Sequence, residues 1–156
     1  MRAASAMFIP LLLAVSGLHA DVAGVPELHW TISASPQTAN AGDEVELRFV
    51  AEIPDGSIVY SSDFTAPLGP RPARFTFEAN DAVELVGGVK AIGPQRRKDK
   101  TFGVEYSYFP ERAEFVQKAR LRRDDATLKG RINGQTCEEK SGVCSLFEER
   151  FTIELR

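Results

Sequence analysis

Glu44-Val45-Glu46-Leu47-Arg48-Phe49-Val50-Ala51-Glu52-Ile53 decides the fold. Val45, Leu47, Phe49, Ala51 and Ile53 alternate with Glu44, Glu46, Arg48, Val50 and Glu52, the period of two that a strand shows when one face is buried and the other is wet. The run leads into Pro54-Asp55-Gly56 and then Ser57 to Ser61, and Asp-Gly between two such runs predicts a β-hairpin, because both residues tolerate positive φ. The same alternation returns in Ala73-Phe75-Phe77, in Ala113-Phe115 with Gln117 and Ala119, and in Phe151-Ile153-Leu155.

Shorter strands are expected around Trp30 to Ser33, Val83 to Val86, Val104 to Tyr108 and Leu128 to Thr136. Seven or more short strands separated by turn residues, with no amphipathic helix, define an all-β, single-domain antiparallel β-sandwich. Asn133-Gly134 alone would signal a turn, but a turn there leaves very short arms before Cys137, so a bulge or bend within a strand is expected. Thr65 to Pro72, with three prolines and a glycine, reads as a loop, and Gln95 to Lys100 as a charged, exposed connection.

The first twenty residues follow a different logic. Arg2, the apolar run Ala6 to Leu18 and the ending Leu18-His19-Ala20 have the order of a secretory signal, with cleavage expected after Ala20. The run is shorter than the ~20 apolar residues that a permanent membrane anchor needs. Residues 21–156 are then expected to form one exported domain, large enough to bury its own core without cross-links. The chain carries 19 basic and 22 acidic residues, and loss of a leader with one arginine and no acid makes it slightly more acidic still. Nucleic acid and anionic membrane are poor partners for such a surface.

Cys137 and Cys144 are the only cysteines, and Glu138-Glu139-Lys140-Ser141-Gly142-Val143 between them reads as a hairpin tip. In an exported chain an even cysteine count favours a disulfide over a metal site. Whether the pair is a structural staple or a redox device stays open at this level. An eight-residue ring contributes only ~2.5 kcal/mol by loop closure, which staples little of the fold. The two Cα atoms must lie about 4.4 to 6.8 Å apart. Glu138 and Glu139 beside Cys137 disfavour a thiolate, and Lys140 offsets them in part, so exchange is expected to depend on an attacking partner thiolate.

Other chemistry finds little support. With the leader removed, His29 is the single histidine and no methionine remains, whereas copper carriers and zinc hydrolases on sandwich folds need clusters of such ligands. His29 beside Trp30 reads as a strand residue. There is no nucleophile elbow, no Walker loop and no dinucleotide fingerprint, and no cofactor is expected.

Asp55-Gly56-Ser57-Ile58-Val59-Tyr60, Gly69-Pro70-Arg71-Pro72 leading to Phe75 and Phe77, Asp99-Lys100-Thr101-Phe102-Gly103, and Gln135-Thr136-Cys137 to Cys144 followed by Phe151 to Leu155 form a collinear set. In this order they resemble the N-terminal periplasmic domain of the DsbD thiol:disulfide interchange proteins. The resemblance implies an immunoglobulin-like sandwich whose cysteines shuttle electrons, in the manner of a protein-disulfide reductase. It implies that Cys137 and Cys144 are the redox pair, with Cys144 forming the mixed disulfide. Phe102, with Asp99 and Gly103, would belong to a cap loop over the sulfurs, and Tyr60 would stand close to the pair. Thioredoxin-like periplasmic proteins and a separate membrane thiol-electron transporter are the implied partners. Ser145-Leu146-Phe147 replaces a proline-containing stretch of the family and the cysteine gap is longer, so the docking tip is expected to differ. The competing expectation is a non-enzymatic exported binding or adaptor sandwich with a structural disulfide.

Overall fold

The computed structural model describes residues 27–98 and 103–156. Ten strands follow one another: β1 (His29–Ser35), β2 (Glu44–Glu52), β3 (Ser57–Tyr60), β4 (Arg74–Phe77), β5 (Val83–Ala91), β6 (Gln95–Lys98), β7 (Glu105–Phe109), β8 (Arg112–Leu121), β9 (Ala126–Glu138) and β10 (Cys144–Leu155). Among the described residues there is no helix. One sheet has the order β1-β2-β8-β5 and the other β10-β9-β3-β7-β6, with β4 also paired to β9, and every pairing is antiparallel. The two layers make an antiparallel β-sandwich, as the alternation in the sequence predicts, of the immunoglobulin-like kind that the resemblance implies.

The core lies between the layers. Leu47, Phe49 and Ala51 of β2 meet Ala113, Phe115 and Ala119 of β8 within one sheet, and Leu128, Ile132, Phe151 and Ile153 close the opposite side. Phe49 is fully buried, its ring 5.1 Å from Phe151 and 5.2 Å from Phe75 between centroids, in the edge-on arrangement that aromatic pairs favour.

Three local expectations change. The Asp55-Gly56 turn does not form a hairpin: β2 and β3 lie in different sheets. Ser57 N–H donates to Pro54 O at 3.0 Å, and positive φ occurs at Gly56 (76°) and not at Asp55. That is the sign pattern of a type II turn, whose twist splays strands apart where a type I′ turn would pair them. Gln95–Lys98 is a strand and not a mere connection. All four side chains are exposed while the backbone pairs with β7, so charged residues here guard a sheet edge.

Asn133-Gly134 makes neither a turn nor a bulge, because β9 and β10 keep an unbroken register from Cys137↔Cys144 to Ala126↔Leu155. A Cβ on Gly134 would stand 2.5 Å from the Phe147 ring, so the glycine leaves that ring its place against the strand. Near the same point β9 exchanges one neighbour for another, pairing with β4 up to Asn133 and with β3 from Thr136 onward.

Candidate functional site

Alternation along β3, β7 and β9 sorts side chains between two faces. Val59, Phe109 and Ile132 enter the main core, whereas Ile58, Tyr60, Tyr106, Tyr108 and Cys137 form a second buried cluster on the outer face of the larger sheet, with Phe64 packed against it. Register makes this cluster continuous: Ile58 lies opposite Cys137, and Tyr60 opposite Tyr108. Tyr60 and Tyr106 stack edge to face at 5.3 Å, and Tyr106 and Tyr108 are 6.0 Å apart.

Cys137 and Cys144 occupy directly opposed positions at the end of the β9–β10 hairpin and are joined by a disulfide, their Cα atoms 4.0 Å apart, slightly closer than the usual range of about 4.4 to 6.8 Å. Their environments differ. Cys137 is 6% exposed and sits among the aromatics, while Cys144 is exposed to solvent. Val143 (58% exposed) and Leu146 (62%) flank the accessible sulfur with apolar surface. Beside Leu146 an open groove of about 750 Å³ is lined by residues 66–72, Arg74, Asn133, Gly134 and Phe147.

The hairpin tip is organised by Glu138. Its carboxylate accepts the backbone N–H groups of Lys140 (2.8 Å) and Ser141 (2.7 Å). The hydrogen bond from the Ser141 side chain, then those of the two backbone amides, hold the Glu138 carboxyl below its ordinary value of 4.5. A group lowered in the folded state contributes stability that is present above the unfolded value and is lost as pH falls through the folded one. Glu138→Gln is therefore expected to lower the thermal midpoint at pH 7. The gap to the parent protein should narrow as both are acidified through the folded value of Glu138, which paired melting curves would check; a gap that does not narrow on acidification contradicts the capping role.

Glu139 is engaged elsewhere. Arg97 of β6 donates to its carboxylate at 2.6 Å and to the Tyr108 hydroxyl at 2.9 Å, with the guanidinium 4.4 Å from the Tyr108 ring centroid. Glu139, and after it Tyr108, reinforces the charged state of Arg97. The expectation that Glu138 and Glu139 bias Cys137 together is thereby modified, since one carboxylate caps backbone and the other is paired with a cation. Gln135, two residues before Cys137 on the same face of β9, donates from Nε2 to Cys137 Sγ at 3.6 Å and accepts Arg71 N–H on Oε1 at 2.9 Å.

The structure thus brings together Cys137, Cys144, Tyr60, Glu138 and Glu139. Gly103 is exposed with a φ of 68°, just before β7. Asp99 and Phe102 lie outside the described residues. Tyr106, Tyr108, Arg97 and Gln135 join the site without having been singled out from the sequence. Tyr106-Ser107-Tyr108 and Gln135-Thr136-Cys137 carried a signal in their period of two, whereas Arg97 required knowledge that β6 is a strand. Among the described residues no group of three or more His, Cys, Asp or Glu is placed to hold a metal, and no helix is long and apolar enough to cross a membrane.

The fold and the site define a class: an immunoglobulin-like domain with one disulfide between adjacent strands, one cysteine seated among aromatics and the other exposed. Residues 30–155 match the family described as thiol:disulfide interchange protein DsbD, N-terminal, and the chain belongs to that family. Among solved structures, the Neisseria meningitidis DsbD N-terminal domain in its reduced form is similar at 21% identity, covering 79% of this chain and 83% of its own, with a TM-score of 0.48. The complex between the DsbD and PilB N-terminal domains of Neisseria meningitidis is similar at 18% identity, covering 80% and 81%, with a TM-score of 0.47. No curated protein matches the chain.

Proposed function

We propose that the domain is a periplasmic electron courier that exchanges the Cys137–Cys144 disulfide with thioredoxin-like proteins. The observation that carries this reading is the asymmetry of the pair, one buried cysteine and one exposed cysteine in the same bond. A partner thiolate approaching from solvent reaches Cys144 Sγ. The partner–Cys144 bond forms as the Cys137–Cys144 bond breaks, and the electron pair leaves on Cys137 Sγ. The partner's second thiol, as thiolate, then attacks its own sulfur in the mixed disulfide and releases Cys144; with two protons taken up, the domain holds a dithiol and the partner a disulfide. The same steps in reverse reduce an oxidised exported protein.

Family membership supports the chemistry, and the apolar rim of Val143 and Leu146 supports docking beside the exposed sulfur. Asp99, Phe102 and Gly103 complete the reading as a cap over the pair, residues 1–20 as a leader removed on export, and a separate membrane thiol transporter as the electron source. The test is exchange under native conditions. Oxidised protein mixed with reduced thioredoxin should gain two alkylatable thiols while its near-ultraviolet circular dichroism is unchanged. No gain of thiols until denaturant is added would sink the proposal and favour an adaptor with a structural bond.

A further inference from the structure

Cys137 is the sulfur that must accept an electron pair when the disulfide opens, yet it sits in the least hospitable place for a charge. Its seat is apolar and aromatic, formed by Ile58, Tyr60, Tyr106 and Tyr108. A thiolate in such surroundings is disfavoured unless hydrogen-bond donors face it. The Gln135 amide donates to Cys137 Sγ, Nε2 to Sγ 3.6 Å. The other end of the same amide is occupied too, since Oε1 accepts Arg71 N–H at 2.9 Å. An amide that accepts at its oxygen is polarised to donate more strongly at its nitrogen.

The placement follows from the strand. Gln135 and Cys137 are two residues apart on β9 and share its outer face, and opposite them on β10 stand Leu146 and Cys144. The four make a small block at the end of the hairpin: two sulfurs, one amide and one exposed apolar side chain. The amide reaches the buried sulfur and not the exposed one, which is the arrangement needed if Cys144 is attacked and Cys137 departs.

Resting on the exchange reaction proposed above, we propose that Gln135 is the hydrogen-bond donor that stabilises the departing Cys137 thiolate, and that Arg71 N–H, from the proline-rich loop, orients it. When a partner thiolate bonds to Cys144 Sγ, the electron pair of the broken bond passes to Cys137 Sγ, where the Nε2–H already points. Loss of this donor makes Cys137 a poorer leaving group and, by lowering the fraction present as thiolate, a slower attacking group in the return direction. Hydrogen bonds to ionised groups are roughly twice as strong as neutral ones, so the amide contributes more once the sulfur is charged than it does in the disulfide.

The test isolates Cys137 by placing every variant in a Cys144→Ser background and following thiolate absorbance near 240 nm as a function of pH. Gln135→Leu removes both hydrogen bonds. Gln135→Met fills similar space and likewise offers no donor to sulfur, and neither substitution adds a charge beside it. Both are expected to move the midpoint of Cys137 ionisation upward by about one pH unit or more, a tenfold loss of thiol acidity. Retained near-ultraviolet circular dichroism reports that the fold is intact.

In the otherwise native protein the same two substitutions should slow reduction by dithiothreitol about threefold or more, since a leaving thiol of higher pKa departs more slowly. Equal midpoints in all proteins overturn the role of Gln135, and a shift with leucine alone shows that packing and not the lost donor moves the midpoint, which also overturns it. If the native protein exchanges with thioredoxin and the midpoints are equal, this inference fails alone. If the midpoints shift but thioredoxin never reduces the disulfide, the courier reading fails and the hydrogen bond stands.

Discussion

Cys137→Ser is expected to trap a thioredoxin-like partner in a mixed disulfide through Cys144, and Cys144→Ser is expected to trap none. The asymmetry follows from access: the sulfur that remains in the first variant is exposed, and the one that remains in the second is 6% exposed beneath an aromatic cluster. In the first variant the mixed disulfide has no internal thiol to resolve it, so it should accumulate to near the amount of added single-cysteine partner supplied as an aryl mixed disulfide, whose aryl thiolate leaves as Cys144 Sγ attacks. In both variants turnover should fall to the uncatalysed background, because exchange needs two sulfurs. Mass spectrometry of the non-reduced complex reads the outcome. Equal trapping by the two variants would mean that access does not set the order of attack.

The largest effect on stability is expected from Phe49→Ala. Phe49 is fully buried at the centre of an aromatic group with Phe75, Phe77 and Phe151. Truncating a buried phenylalanine typically costs about 3–5 kcal/mol, from lost transfer energy and the cavity left behind. Against a usual total of about 5–15 kcal/mol this is a major loss, and the thermal midpoint should drop by roughly 10 °C. Exchange with thioredoxin well below that midpoint should persist, because the cluster around Cys137 lies on the opposite face of the larger sheet. A denaturant titration and an exchange assay on the same variant check both halves, and a loss below about 1 kcal/mol would contradict the packing described.

The sequence carries much of this architecture, for reasons that differ from strand to strand. Glu44 to Ile53 is legible because one face of β2 is dry and the other wet, so burial writes itself directly into residue type. β6 is not legible, because an edge strand with every side chain in solvent has no buried face to mark it; only its hydrogen bonds to β7 define it. Asp55-Gly56 names a turn without naming the sheet that the chain enters next, since the same dipeptide serves both a hairpin and a passage between layers. Gly134 looks like a defect until Phe147 is seen lying over it.

The site divides in the same way. The two cysteines and the carboxylates between them are visible as neighbours in sequence. What surrounds Cys137 is not, because Ile58, Tyr60, Tyr106 and Tyr108 reach it from other strands through register. Arg97 shows the physical consequence: a cation from β6 pairs with Glu139 across a sequence separation of 42 residues. A reading of local charge alone therefore overstates the negative field at the sulfurs. Gln135 stands between these cases, near in sequence and on the right face, but recognisable only once its amide is seen between Arg71 and Cys137.

The most direct measurement is an equilibrium redox titration of the folded protein, read by alkylating free thiols at each ratio of oxidised to reduced dithiothreitol or glutathione. A reversible two-electron transition between roughly −270 and −120 mV, the span of thioredoxin-like exchange proteins, is the predicted result. A disulfide that stays oxidised to below about −300 mV, or that yields thiols only as the fold is lost, would contradict the account.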